Sequence, residues 1–152
     1  MPLVYVGLGA NLGDREVTIR AALDRLGAHD EIEVLRVSAL RETDPVGYAD
    51  QPRFLNGAAA LETTLGPRDL LEQLLAVERD LGRLRDGPRF GPRTIDLDLL
   101  LYGNAVVDEP GLEIPHPRLT ERVFVLEPLA ELDPELVIPG RGPVRDFLAG
   151  LH

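Results

Sequence analysis

Cysteine, tryptophan and lysine are all missing from this chain, and methionine occurs once. Without thiols there is no disulfide framework and no thiolate metal site, so redox sets no compartment and the cytoplasm is the default expectation. All 16 basic residues are arginine, which excludes any phosphate-loop mechanism built on a lysine. A net charge of −10 speaks against nonspecific binding of nucleic acid, which needs a basic surface. No apolar run approaches the roughly 18 residues of a membrane span, and the N-terminus lacks the basic-then-apolar layout of a signal peptide. A length of 152 residues fits one domain, residues 1–152, with a real core and no linker, repeat or low-complexity tract.

The few basic groups are informative where they cluster. The stretch Arg83 to Tyr102, RLRDGPRFGPRTIDLDLLLY, puts Arg83, Arg85, Arg89 and Arg93 on a Gly/Pro-rich loop that feeds a strand. Successive strand residues point to opposite faces, so Asp96 and Asp98 share one face while Ile95, Leu97, Leu99 and Leu101 are expected on the other. Two carboxylates at i and i+2 stand roughly 7 Å apart, close enough to hold one hard cation or two bridged ones. Buried without a partner they would be costly, so a cation or an arginine is expected beside them. Mg²⁺ suits such a pair because it takes one or two protein carboxylates and fills its other positions with water and phosphate oxygens. Guanidinium groups grip phosphate bidentately and stay charged. Acid pair plus arginine loop therefore points to Mg²⁺-dependent phosphoryl transfer; a solvated strand edge with surface ion pairs is the plainer alternative, disfavoured by the interior-like run LDLLLY.

The rest of the chain supplies the scaffold. Leu3 to Leu8 is a strand, and Asn11 or Asp14 caps a helix to about Ala28 with Val17, Ile19, Ala22, Leu23 and Leu26 on its apolar side. Gly7, Gly9 and Gly13 have the wrong spacing for a dinucleotide loop and are expected in a tight strand-to-helix turn. Glu31 to Arg41 alternates as a strand, a loop follows, and Phe54 to Thr64 is another strand with a small-residue face. Asn56 in that strand either bonds backbone or presents its amide to a heterocyclic ring. Pro67 opens a helix to about Leu81 that ends at Gly82, with Leu70, Leu71, Leu74, Leu75 and Val77 apolar. Glu78 falls on the same stripe and needs a partner, an arginine of the next loop being the expectation. After Gly103 a second loop runs through His116, Arg122 and Phe124 to about Leu132; His116 is either structural or part of a site. A short helix, Val144 to Ala149, forms a peripheral tail. The order β-α-β-β-α-β predicts an α+β, ferredoxin-like split βαβ fold: an antiparallel sheet with helices on one face and active-site loops at one side.

Four runs carry a family resemblance: GLGANLGD, TDPVGYADQPRFLN, GRLRDGPRFGPRTIDLDLLLYG and IPHPRLTERVFVLEPL. In order and spacing they resemble the 6-hydroxymethyl-7,8-dihydropterin pyrophosphokinases of folate biosynthesis, over nearly the whole chain. The segment G-P-R-T-[IL]-D-[LI]-D and the pattern P-H followed six residues on by R are the most specific. The resemblance implies transfer of pyrophosphate from ATP to the pterin hydroxymethyl group with release of AMP. It implies that Asp96 and Asp98 hold two Mg²⁺ ions and that Arg83 and Arg93 contact the phosphates, Arg83 from a closing loop. Glu78, Arg85, Arg89, Leu99, His116 and Arg122 would serve ATP. Phe54 and Phe124 would sandwich the pterin, its edge read by Asn56 and by Thr43, Pro45 and Val46. A monomer is expected. The chain departs from the family at Phe90, where tryptophan is common, at Pro117, where an aromatic is frequent, at Asp86 and Pro88 in the loop, and at Leu75, which replaces a polar residue. Two rivals share the scaffold: a sensor that binds nucleotide or pterin without releasing AMP, and a Mg²⁺-dependent hydrolase that needs no pterin.

Overall fold

The computed structural model of the chain describes residues 2–11, 14–43, 54–82 and 95–151. The first strand, β1 (Leu3–Ala10), leads into α1 (Arg15–Gly27), whose first turn is capped by Asp14 accepting a hydrogen bond from Val17 N at 3.2 Å. Next come β2 (Ile32–Val37), β3 (Arg41–Thr43), β4 (Phe54–Thr63), α2 (Pro67–Gly82) and β5 (Asp96–Tyr102). A hairpin of β6 (Val107–Glu109) and β7 (Leu112–Ile114) precedes a 3-10 turn (Leu119–Glu121) and α3 (Val123–Leu132). The small pair β8 (Val137–Ile138) and β9 (Gly142–Pro143) ends in α4 (Val144–Leu151).

The main sheet has the order β2-β4-β1-β5, with β3 also on β4, and every pairing is antiparallel. This is the split βαβ, ferredoxin-like order predicted from the succession of elements. Alternation along β1 builds a core on each side. Val4, Val6, Leu8 and Ala10 pack with Ile19, Ala22 and Leu26 of α1 and Leu70, Leu74 and Val77 of α2. Tyr5 looks the other way, into a second cluster with Leu126, Leu129 and Leu132 of α3 and Val144 of α4. Helices thus cover one face as expected, α1 and α2, and the C-terminal helices cover the other.

Four local expectations are corrected. Residues 123–132, expected as loop, are the helix α3; Pro128 lies inside it and removes the N–H that would bond the Phe124 carbonyl, but burial of Leu126, Leu129 and Leu132 at roughly 2 kcal/mol each offsets that cost of about 3 kcal/mol. The expected strand Glu31 to Arg41 is broken: Ser38 turns the chain, its hydroxyl accepting from Ala58 N at 2.9 Å, so β2 and β3 are separate. Leu101 lies on the α3 side with Tyr5, because the register between β1 and β5 shifts opposite Leu100. Val17 is 60% exposed and takes no part in the core.

Candidate functional site

The aspartates of β5 fall where alternation predicted. Asp96 pairs with Gly9 of β1 and Asp98 with Gly7, and cross-strand partners share a face. The two glycines are therefore not turn residues: they lie within β1, directly beside the carboxylates, and leave room above the sheet that side chains would fill. Gly9 in turn pairs with Asn56 of β4, and Asn56 with Arg41 of β3. One row across the sheet reads Arg41, Asn56, Gly9, Asp96. A Cβ at Gly9 would stand 2.9 Å from Asn56 Oδ1, so the close approach of the amide requires glycine there. Gly57 is required for a like reason, since its Cβ would meet Leu40 Cδ2 at 2.7 Å.

Asn56 is 8% exposed and its Nδ2 donates to Thr43 Oγ1. That partner is a side chain on β3 and not backbone, which fixes the amide's orientation. Phe54 pairs with Thr43 at the mouth of the same strand end. From the opposite side the start of α3 brings Arg122 and Phe124, the guanidinium 5.6 Å from the ring centroid. Together these groups line a cavity of about 180 Å³, with Gly7, Gly9, Asn56, Phe54, Phe124 and both aspartates on its wall.

A second cavity, about 360 Å³, lies toward α2. Leu71, Leu75 and Glu78 of α2 line it together with Leu99, His116 and again Asp96 and Asp98. Glu78 Oε2 accepts from Leu97 N at 2.7 Å. Leu97 is the residue between the two aspartates, so a carboxylate from the helix caps the N–H there and steadies the pleat that aims both acids. His116 N donates to Leu100 O at 3.0 Å, tying the segment after β7 to β5. Burial holds the His116 imidazole below its ordinary 6.5, with Asp98 partly opposing and Arg122 adding to the effect, which favours the neutral ring. Its Nδ1 accepts from Arg118 N at 3.3 Å, leaving Nε2 to carry the proton.

Of the residues singled out from sequence, Thr43, Phe54, Asn56, Asp96, Asp98, Arg122 and Phe124 meet at the first cavity. Glu78, Leu99 and His116 meet with the same aspartates at the second. Arg122 was expected among the nucleotide groups and stands on the wall of the first cavity, over Phe124. Arg83, Arg85, Arg89, Arg93, Pro45 and Val46, with the departures at Asp86, Pro88 and Phe90, lie outside the described residues. Gly7, Gly9 and Gly57 were missed as site residues, although glycines two apart inside an apolar strand are the signal of an emptied face. Among the described residues no group of three or more acids, histidines or cysteines gathers into a self-sufficient metal cage. No helix among them is long and apolar enough to cross a membrane.

Two cavities lie on either side of one strand and share its paired carboxylates, an arrangement suited to an enzyme that joins two small molecules at one acidic pair. The sequence pattern of the family described as 7,8-dihydro-6-hydroxymethylpterin-pyrophosphokinase (HPPK) matches residues 5–134. A protein of Pseudomonas aeruginosa named 2-amino-4-hydroxy-6-hydroxymethyldihydropteridine pyrophosphokinase is 49% identical over 146 residues, covering 96% of this chain and 90% of its own. Its namesake in Bacillus subtilis is 48% identical over 130 residues, covering 86% and 77%. The crystal structure of a Plasmodium falciparum HPPK-DHPS triple mutant matches with a TM-score of 0.77 at 14% identity, over 98% of this chain and 44% of that one, a likeness of fold. The chain belongs to the 7,8-dihydro-6-hydroxymethylpterin-pyrophosphokinase family and is a pyrophosphokinase of folate biosynthesis.

Proposed function

We propose that the donor is ATP, that the acceptor is the hydroxymethyl group of 6-hydroxymethyl-7,8-dihydropterin, and that Asp96 and Asp98 hold two Mg²⁺ ions between them. The acceptor oxygen bonds to the β-phosphorus, the bridge from the α-phosphate to the β-phosphorus breaks, AMP leaves and the hydroxyl proton is released. The observation that carries this is the sharing of Asp96 and Asp98 by both cavities. A pterin in the first and a nucleotide in the second would bring acceptor oxygen and phosphate together at the carboxylates, as in-line transfer requires.

The donor set fits the metal. Two carboxylates on one strand face, with no cage of three or more acids or histidines closing round an ion among the described residues, leave positions for water and phosphate oxygens, which is how Mg²⁺ is usually held. Bound there, Mg²⁺ would neutralise charge on the transferring group and lower the acidity barrier of the acceptor hydroxyl. The protein's own side chains bind and orient. Phe54 and Phe124 offer ring faces to a flat heterocycle, and Asn56, aimed by Thr43, offers an amide to its edge. Leu71, Leu75 and Leu99 offer an apolar wall to the nucleotide base, and neutral His116 a donor to its phosphates. Arg83 and Arg93, with Arg85 and Arg89, complete the reading from sequence as phosphate contacts on a loop that closes over the site and excludes water. A cytoplasmic monomer is the expected form, to be tested by size-exclusion chromatography with light scattering.

The test is Asp98→Ala, which should abolish transfer while the circular-dichroism spectrum and melting midpoint stay close to wild type. Activity at the wild-type rate would remove the metal assignment. ATP consumption without pterin would favour a hydrolase, and binding of both ligands without AMP a sensor.

A further inference from the structure

The edge strand β3 has three residues, too few to hold itself in place, yet it carries Thr43, the group that orients Asn56. Its neighbours hold it from both faces. On the α1 side Glu42 pairs with Arg15 at the start of that helix. On the other side Glu131, in the last turn of α3, accepts from Ala39 N through Oε2 at 2.7 Å and from Arg41 Nη2 through Oε1 at 2.6 Å. Among the described residues Glu131 is the one acceptor that Arg41 has, and Arg41 Nη1 is buried with no hydrogen-bond partner. Both side chains are more than a third exposed, so loss of the carboxylate would not strand a charge but would release Arg41, and with it the strand that pairs directly with Asn56, from α3.

The same helix carries Phe124 seven residues earlier, roughly 10 Å along its axis. One end of α3 therefore forms a wall of the first cavity while the other grips the strand that forms the facing wall. We infer that Glu131 is a positioning residue for the acceptor pocket: through Arg41 and Ala39 it sets the separation between Phe124 on α3 and the Thr43–Asn56 pair on the sheet. The inference rests on the first cavity being the pterin pocket. It assigns Glu131 no contact with substrate and no part in the nucleotide cavity, whose walls come from α2, β5 and the segment around His116. The lowered pKa of Glu131, caused first by the Ala39 N–H and then by Arg41, agrees with a carboxylate charged throughout the working range.

The experiment measures KM for pterin and for ATP separately in Glu131→Gln, Arg41→Met and Asn56→Ala, with the melting midpoint of each. Loss of a charge-assisted clasp should raise the pterin KM of Glu131→Gln and Arg41→Met by about tenfold and leave the ATP KM within about twofold. The double variant should be less than additive, because both changes break one contact. A pterin KM unchanged in Glu131→Gln, or raised equally with that of ATP, overturns the inference. Should Asn56→Ala leave the pterin KM unchanged, the pocket assignment falls and the inference falls with it; a large effect there and none in Glu131→Gln would remove the inference alone. A purely structural clasp would lower the melting midpoint without separating the two KM values.

Discussion

Replacing Gly9 by alanine is the sharpest probe of how the first cavity is built. The new Cβ would stand 2.9 Å from Asn56 Oδ1, 3.9 Å from Asp96 Cβ and 4.0 Å from Phe54 Cδ1. Ordinary C···O contacts begin at about 3.3 Å, so the amide oxygen must retreat by about 0.4 Å while its nitrogen is held by Thr43. Stability should change little. Weakening the Asn56–Thr43 bond costs about 1 kcal/mol, and the alanine returns about 0.5–1 kcal/mol by restricting the unfolded chain. Binding should change a good deal, because a polar site built for one heterocycle edge discriminates by about 1–3 kcal/mol per misplaced hydrogen bond, a factor of roughly 5 to 150 in pterin affinity. Gly7→Ala is the comparison, since its Cβ would meet Leu100 Cδ1 at 3.5 Å and Asp98 Cβ at 3.6 Å, ordinary contacts. Pterin titrations monitored by fluorescence, with urea melts of both variants, decide the matter. If Gly9→Ala binds pterin as wild type does, or Gly7→Ala loses at least as much, the packing of Asn56 over Gly9 does not set the pocket.

Other perturbations separate scaffold from site. Leu129→Ala should cost about 3 kcal/mol in a urea melt, because the side chain is fully buried under the sheet; a loss below about 1 kcal/mol would make α3 the peripheral segment its proline suggests. Glu131 has a pKa lowered in the folded state, so its stabilising effect is complete above the ordinary value of 4.5 and is lost as pH falls through the lower folded-state value. Urea midpoints between about pH 5 and pH 3 should therefore fall more steeply for wild type than for Glu131→Gln, and parallel curves would show that the clasp contributes no pH-dependent stability. Glu78→Ala uncaps the Leu97 N–H between the aspartates and should weaken Mg²⁺ affinity several-fold, read as a higher Mg²⁺ concentration for half-maximal rate; an unchanged midpoint would free Glu78 of that role.

Much of this molecule could be read from its residues because its signals are local. Asp96 and Asp98 announce a shared face by their spacing alone, and the structure keeps it. The helix α2 shows its stripe of Leu70, Leu74 and Val77 without help from the fold. Where the outcome depends on a strand's neighbour, local signals fail. Leu101 changes face because β5 carries an extra residue, Leu100, against the Tyr5–Val6 step of β1, and Ser38 breaks a strand because its hydroxyl finds Ala58 on β4. Pro128 and the prolines around His116 argue for loop by every local rule, yet α3 forms because three leucines reach a core assembled by distant segments. Gly7 and Gly9 look like turn glycines until their partners are known to be Asp98 and Asp96. The convergence of two cavities on one carboxylate pair is a tertiary fact, and no spacing within β5 contains it.

The central claim is that Asp96 and Asp98 serve transfer from a nucleotide in one cavity to a pterin in the other. It is tested most directly by AMP release from ATP and Mg²⁺, with and without 6-hydroxymethyl-7,8-dihydropterin, in wild type and in Asp96→Asn. AMP should form only with the pterin present and should vanish in the variant while both ligands still bind. AMP formed without pterin, or undiminished in Asp96→Asn, would contradict it.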